Sequence, residues 1–107
     1  MTDKELLELA AKAAGIEIGW DSQGAFLYEP EICALSDAWN PLTDDGDALR
    51  LAVKLGMRLN LPTQTYAYVG ANDQLEYCKN EDYYAATRRA IVRAAAQIGR
   101  TYDRQSA

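Results

Sequence analysis

The sequence contains no histidine, and this absence excludes more chemistry than any other feature of the composition. Histidine is the usual general base, a common zinc ligand and the side chain that titrates near neutral pH. The chain also has no CxxC pair, no glycine-rich phosphate loop and no nucleophile-elbow motif. We therefore expect a protein that is not an enzyme and has no cofactor.

Cysteines and long apolar runs are equally scarce. Cys33 and Cys78 are the two cysteines, and their separation does not match the spacing of metal ligands. No apolar run approaches the roughly 20 residues that span a bilayer. The start Met1-Thr2-Asp3-Lys4 lacks the apolar region of a secretory signal. We expect a cytoplasmic protein in which both cysteines are buried free thiols, with a disulfide between them as the alternative.

Charge is unevenly distributed along the 107 residues, which carry a formal net charge of -5. Acidic residues dominate the middle of the chain. The C-terminal part carries Arg88, Arg89, Arg93, Arg100 and Arg104. The negative total disfavours non-specific binding to nucleic acid or to an anionic membrane. The clustered arginines still allow a local site for an anion.

The N-terminal part predicts a helix followed by a hairpin. Thr2 and Glu5 form a capping-box pattern, and Gly15 ends the helix predicted over residues 3–14. The hydrophobic period then changes to two, which predicts strands at 16–20 and 25–28 around a turn.

Residues 30–38 have no clean period. In this segment Ile32, Cys33 and Leu35 favour a short packed piece of chain under the loop.

The clearest local signals of secondary structure mark a turn and a helix at the centre of the chain. Pro41 requires a turn, Asp44 is placed to cap a helix, and Asp47 lies in its first turn, where negative charge is favourable. Gly56 provides the C-terminal stop. The apolar stripe comprises Ala48, Leu51, Ala52 and Leu55. The opposite, polar face comprises Asp47, Arg50 and Lys54.

The C-terminal half predicts three strands and a final helix. Strict alternation marks a strand at 57–61, and β-branched and aromatic residues mark a hairpin with strands at 65–69 and 74–78. The final helix is predicted to begin within 80–82 and to end at Ile98, with Gly99 as its stop. Residues 101–107 are predicted to be a frayed tail.

Together these elements predict one domain, residues 1–107, of the α+β class. Its order is α-β-β-α-β-β-β-α, with a mostly antiparallel sheet of about four or five strands packed with three helices. Amphipathic helices need a sheet against which to bury their apolar stripes, so the arrangement resembles an α/β/α sandwich.

Asp44, Asp45 and Asp47 form the only cluster of carboxylates. Their oxygens could bind a divalent cation, but no glutamate follows at the distance that closes a calcium loop. Helix capping and the helix dipole explain the three acids without a metal. We therefore predict no metal site.

Arg88 lies on the apolar seam of the final helix, beside Tyr84. A buried arginine needs a carboxylate, a carbonyl or a bound anion, because an unpaired buried charge is costly. One alternative is an internal pair with an acid such as Asp44 or Asp45. The other is a bidentate contact with a phosphate or carboxylate of a ligand.

Two segments stand out as units of sequence: the first runs from Trp39-Asn40-Pro41 to Ala48-Leu49, and the second is Ala86-Thr87-Arg88-Arg89-Ala90-Ile91-Val92-Arg93-Ala94. Both resemble segments of small phage and prophage proteins of the NinX-like family and the related phage α-β-α (ABA) sandwich domains. The resemblance implies a phage-encoded accessory protein of the bacterial cytoplasm, with no known activity.

The function that we expect is non-enzymatic binding that modulates a host process, with bacterial defence as one such process. Sequestration of a small anionic nucleotide at a subunit interface and a structural or assembly role in the virion are the alternatives. The expected partner is a host protein or a small anionic ligand, without membrane or nucleic acid; self-association into a homo-oligomer is compatible with each reading. The candidate binding residues are Trp39, Asp44, Asp45, Asp47, Tyr84, Arg88 and Arg89.

Overall fold

A computed structural model describes the backbone of residues 2–60, 66–71, 74–79 and 83–106, and the side chains of residues 2–59 and 84–102. These residues form an α+β domain, which confirms the predicted class. The elements in chain order are α1 (Asp3–Ala14), β1 (Ile18–Asp21), β2 (Gly24–Glu29), β3 (Ala34–Ala38), α2 (Asp45–Lys54), β4 (Arg58–Asn60), β5 (Tyr66–Ala71), β6 (Gln74–Lys79) and α3 (Tyr83–Ser106).

Local side-chain chemistry sets both ends of α1. The Glu5 backbone N–H donates to Thr2 Oγ1 at 3.2 Å, and Thr2 Oγ1 donates to Glu5 Oε1 at 3.3 Å. Gly15 ends the helix with a φ of 69°, and the Ile16 N–H then reaches back to the Ala11 carbonyl at 2.9 Å. The predicted helix at 3–14 is confirmed.

The end of α2 repeats this arrangement. Gly56 has a φ of 62°, and the Met57 N–H donates to the Ala52 carbonyl at 3.0 Å. The predicted stop at Gly56 is confirmed. A helix followed by three strands therefore occurs twice in the described chain, and each helix leads into its strands through a left-handed glycine.

The first sheet has the strand order β1-β2-β3, with antiparallel pairing throughout. Asp21 Oδ1 accepts the N–H groups of Gln23 at 2.7 Å and Gly24 at 3.2 Å, which stabilises the turn between β1 and β2. Pairing of Ile18 with Leu27 places both side chains on one face, and both pack against the core. The predicted hairpin is confirmed, with a tighter turn than the sequence indicated.

The third strand of this sheet was not predicted. Residues Ala34–Ala38 form the edge strand β3, and all five are exposed. Because neither face of β3 is buried, its sequence has no hydrophobic alternation. The prediction of a packed segment is wrong, since 68% of the Ile32 surface is exposed. The prediction of a buried thiol at Cys33 is also wrong, because Cys33 is a free, exposed cysteine.

The second sheet has the order β4-β5-β6 and is also antiparallel. The predicted hairpin is confirmed, and pairing of β5 with β6 extends to Ala71 opposite Gln74. The described strands thus number six in two sheets, whereas the sequence predicted one sheet of four or five. The prediction about the thiol of Cys78 lies outside the described residues.

Helix α3 is longer than the sequence predicted. It runs from Tyr83 to Ser106 and passes through Gly99 without a break. The predicted stop at Gly99 is therefore wrong, and the helix continues over residues 101–106, for which the sequence predicted a frayed tail. A Cβ atom on Gly99 would lie 2.8 Å from the carbonyl carbon of Leu9, so this glycine permits close contact between α1 and α3. The predicted helix start at 80–82 lies outside the described residues.

The core surrounds α3, which packs against α1, α2, β5 and β6. Small side chains dominate this core and allow the helices to approach closely; its buried alanines include Ala10, Ala11, Ala86, Ala90, Ala94 and Ala95. In the described part of the chain, no helix is both long enough and apolar enough to cross a membrane.

Candidate binding cleft beside the acidic turn

Residues 39–47, which we call the acidic turn, connect β3 to the first turn of α2. The Asn40 side-chain oxygen accepts the Leu42 N–H at 3.0 Å, and the Asn40 carbonyl accepts the N–H of Asp44 at 2.9 Å. The Trp39 N–H donates to the Ala25 carbonyl at 3.0 Å, and only 4% of the Trp39 surface is exposed. Trp39 therefore anchors the acidic turn to the first sheet.

Asp44 caps α2, as the sequence predicted. Its Oδ2 accepts the Asp47 N–H at 2.7 Å, which satisfies one of the unpaired donors at the helix start. Asp44 itself stays exposed.

The prediction that Asp47 lies on the exposed polar face of α2 is wrong, because Asp47 is buried. Its Oδ2 accepts the Asn40 N–H at 2.9 Å, and its Oδ1 accepts from Arg50 Nη2 at 2.7 Å. Helical spacing alone places Asp47 beside Arg50 and Lys54. The sequence pattern could not show that the preceding turn folds back over this carboxylate.

Arg88 joins α3 to the other side of the acidic turn. Its Nε donates to the Leu42 carbonyl at 2.9 Å, and its Nη1 donates to Asp45 Oδ1 at 2.6 Å. The Arg88 side chain is 17% exposed, whereas Asp45 is 66% exposed. Of the two alternatives for Arg88, the internal pair is present, with Asp45 as the carboxylate.

The remaining candidate residues lie on α3. Arg89 Nη2 donates to Asp3 Oδ1 at 3.0 Å and so connects α3 to α1. Tyr84 lies one turn before Arg88, with 70% of its surface exposed. The fold thus brings Asp45 and Arg88 together, and Asp44 and Asp47 together, while Arg89 pairs elsewhere.

An open cleft of about 760 Å³ lies between the first sheet, the acidic turn and α2. Ile16, Leu27, Trp39 and Leu51 give it apolar walls. The volume falls within the range of ligand pockets, roughly 300–1,000 Å³. Of the predicted site residues, the cleft includes Trp39, Asp44 and Asp47.

Charged groups of both signs also line the cleft, and the sequence did not single them out. Asp37 comes from β3, whereas Arg50 and Lys54 come from successive turns of α2. Asp37 and Lys54 have no hydrogen-bond or ion-pair partner among the described residues. For these charged residues the sequence offers one indication, the three-residue spacing that places Arg50 beside Asp47 on a helix.

Arg50 is held in place by the acidic turn. Its Nη2 contacts Asp47 Oδ1 at 2.7 Å and lies 3.8 Å from Asp44 Oδ2. The hydrogen bond that Arg50 donates to Asp47 is the main cause that raises the pKa of Arg50 above its usual value. Within the described structure the Nε and Nη1 donors of Arg50 have no partner, so a positioned cation with spare donors faces the cleft.

Comparison with known proteins gives no relative for this chain: no family model, no curated protein and no solved structure matches it.

Proposed function

We propose that this is a non-enzymatic binding protein that captures a component of a bacterial host cell in the cleft beside the acidic turn. The supporting observation is the cleft itself, which combines apolar walls with the unpaired charges of Asp37 and Lys54. Pockets with mostly apolar walls and a few placed polar groups are the usual form of ligand sites.

The acidic residues support a binding role over a catalytic one. Asp44 caps α2, Asp45 pairs with Arg88, and Asp47 holds Asn40 and Arg50. Each carboxylate is engaged in a contact that maintains the turn. We propose that the acidic turn shapes the cleft and takes no part in proton transfer.

The resemblance to NinX-like and phage ABA sandwich proteins supports a phage or prophage origin and action in the host cytoplasm. A binding protein with that origin would act by altering a host process, and defence against the phage is the process that we propose first. The captured component is a host protein or a small ligand.

The cleft can be blocked without changing the core. Ala38 lies on β3 and lines the cleft, and its residue surface is exposed. Phenylalanine at this position (Ala38→Phe) would fill part of the cleft. Ala34→Phe on the same strand is the matched control, because Ala34 is also exposed and is not among the residues that line the cleft.

The test is native mass spectrometry, combined with affinity capture, of the protein purified gently from bacterial cells. We expect the wild-type protein and Ala34→Phe to retain the same bound component and Ala38→Phe to lose it. Equal retention by both variants would place binding outside the cleft. A wild-type protein that retains nothing under these conditions would also contradict the proposal.

A further inference from the structure

Unpaired charges of opposite sign line the cleft from different elements. Asp37 is contributed by the edge strand β3, and Lys54 by the last turn of α2. Neither side chain has a partner in the described part of the chain. Arg50, one turn before Lys54, adds two spare donors to the cationic side. Asp37 and Lys54 are both exposed, so a ligand with charges of both signs can contact both groups, whereas a ligand with a single sign of charge can pair with only one.

Apolar side chains line the same cleft as these charged groups. Ile16 and Leu27 are only partly buried and present apolar surface to the cleft, whereas Leu51 and Trp39 are 1% and 4% exposed and present almost none. Ile16 and Leu27 favour an apolar body on the ligand, because contact with them removes apolar area from water.

From this arrangement we propose that the cleft binds a small zwitterion with an apolar body, of the chemical class of short peptides with free termini. The ligand amine contacts Asp37, its carboxylate contacts Lys54 and the spare donors of Arg50, and its apolar side chains lie against Ile16 and Leu27. This inference rests on the proposed function, since it names the ligand class of the same cleft.

Arg50 is the cation of this site whose side chain is already held in place. Its guanidinium is fixed at Nη2 by Asp47, whose other oxygen holds the Asn40 N–H. A carboxylate that approaches Nη1 and Nε therefore meets donors that are already oriented, so less side-chain freedom is lost on binding. Lys54, by contrast, supplies a flexible point charge.

The probe is the dipeptide Phe-Leu, together with its N-acetylated form and its C-terminal amide. Each blocked form removes one charge and keeps the apolar body. Isothermal titration calorimetry and the fluorescence of Trp39 and Trp20 report binding, because the probe contains no tryptophan. We expect each blocked form to bind about fivefold more weakly than the free dipeptide, since each loses one partly exposed ion pair.

Two variants test which side chain of the protein contacts which terminus of the dipeptide. In Lys54→Ala we expect weaker binding of Phe-Leu and a smaller difference between the free dipeptide and its amide, because only Arg50 then contacts the carboxylate. In Asp37→Asn we expect little remaining difference between the free dipeptide and its acetylated form. Glu31→Gln and Arg100→Ala are the controls, because both residues are exposed and neither lines the cleft.

The proposal is overturned if none of the three forms binds, if all three bind equally, or if the Lys54 and Asp37 variants behave as the controls do. Absence of dipeptide binding would leave the blocking experiment with Ala38→Phe unaffected. Failure of the zwitterion is therefore distinguishable from failure of the cleft as a binding site.

Discussion

Arg88 and Asp45, which are separated by 43 residues in the sequence, form an ion pair of 2.6 Å that joins α3 to the first turn of α2. The same guanidinium donates to the Leu42 carbonyl, so one side chain supports both the turn and the helix start. The mostly buried arginine contributes two hydrogen bonds that hold the acidic turn against α3. Neither Arg88 nor Asp45 is among the residues that line the cleft.

Replacement of Arg88 should therefore destabilise the fold. Arg88→Ala leaves the Leu42 carbonyl without its partner, and we expect the free energy of unfolding to fall by about 2–3 kcal/mol. Arg88→Lys should lose roughly 1 kcal/mol, because lysine lacks the planar fork that reaches both acceptors. Urea denaturation followed by circular dichroism measures both values. Arg100→Ala serves as the surface control, and an Arg88→Ala protein as stable as that control would show that the pair is unimportant.

Asp44 and Asp47, at the start of α2, should contribute differently to the free energy of unfolding. Asp44→Ala removes the helix cap, and we expect a loss of about 1 kcal/mol. Asp47→Ala leaves the Asn40 N–H without its acceptor and releases Arg50, so we expect a larger loss of about 2–3 kcal/mol. Thermal and urea denaturation of the two variants give the comparison. A larger effect at Asp44 than at Asp47 would contradict the burial of Asp47.

Gly99 should not tolerate even a methyl group. In an ordinary helix interior, Gly→Ala stabilises by up to roughly 1 kcal/mol. At Gly99 the new Cβ would meet the Leu9 backbone, and we expect overpacking to destabilise by about 2 kcal/mol or more. Thr101→Ala, on the exposed side of the same helix, is the control. A Gly99→Ala protein with a higher melting temperature than wild type would refute the close contact between α1 and α3.

Cys33 has a φ of 50°, in the left-handed region that β-branched side chains avoid. Cys33→Asn should leave stability within about 0.5 kcal/mol of wild type, because asparagine adopts this conformation readily. Cys33→Val should lose about 1–2 kcal/mol at the same exposed position. The melting temperatures of the two variants, each compared with that of wild type, test this prediction. An equal effect of asparagine and valine would argue against the left-handed conformation.

The sequence was most informative where a structural feature depends on residues close together in the chain. The capping box of Thr2 and Glu5, the left-handed stop at Gly15 and the Asp44 cap each involve atoms within five residues of one another. These features are confirmed because short-range hydrogen bonding determines them.

The sequence was least informative where distant segments meet. Gly99 carries the same local signal as Gly15, yet α3 continues through it, because packing against Leu9 determines its role. Strand β3 gave no alternation, because an exposed edge strand has no buried face to encode. The charged lining of the cleft combines Asp37 with Lys54, and no periodicity along one element relates those two residues.

The edge position of β3 also affects the energetics of the cleft. One side of the cleft is an exposed strand at the margin of its sheet, and the other is a helix whose inner face is buried against α3. Amide hydrogens of β3 should therefore exchange with solvent through small local openings, whereas those of α2 should need opening of the core. Local opening of β3 would then widen the entrance of the cleft while α2 stays folded. The rates of ligand entry and release would therefore depend on the opening of this one strand.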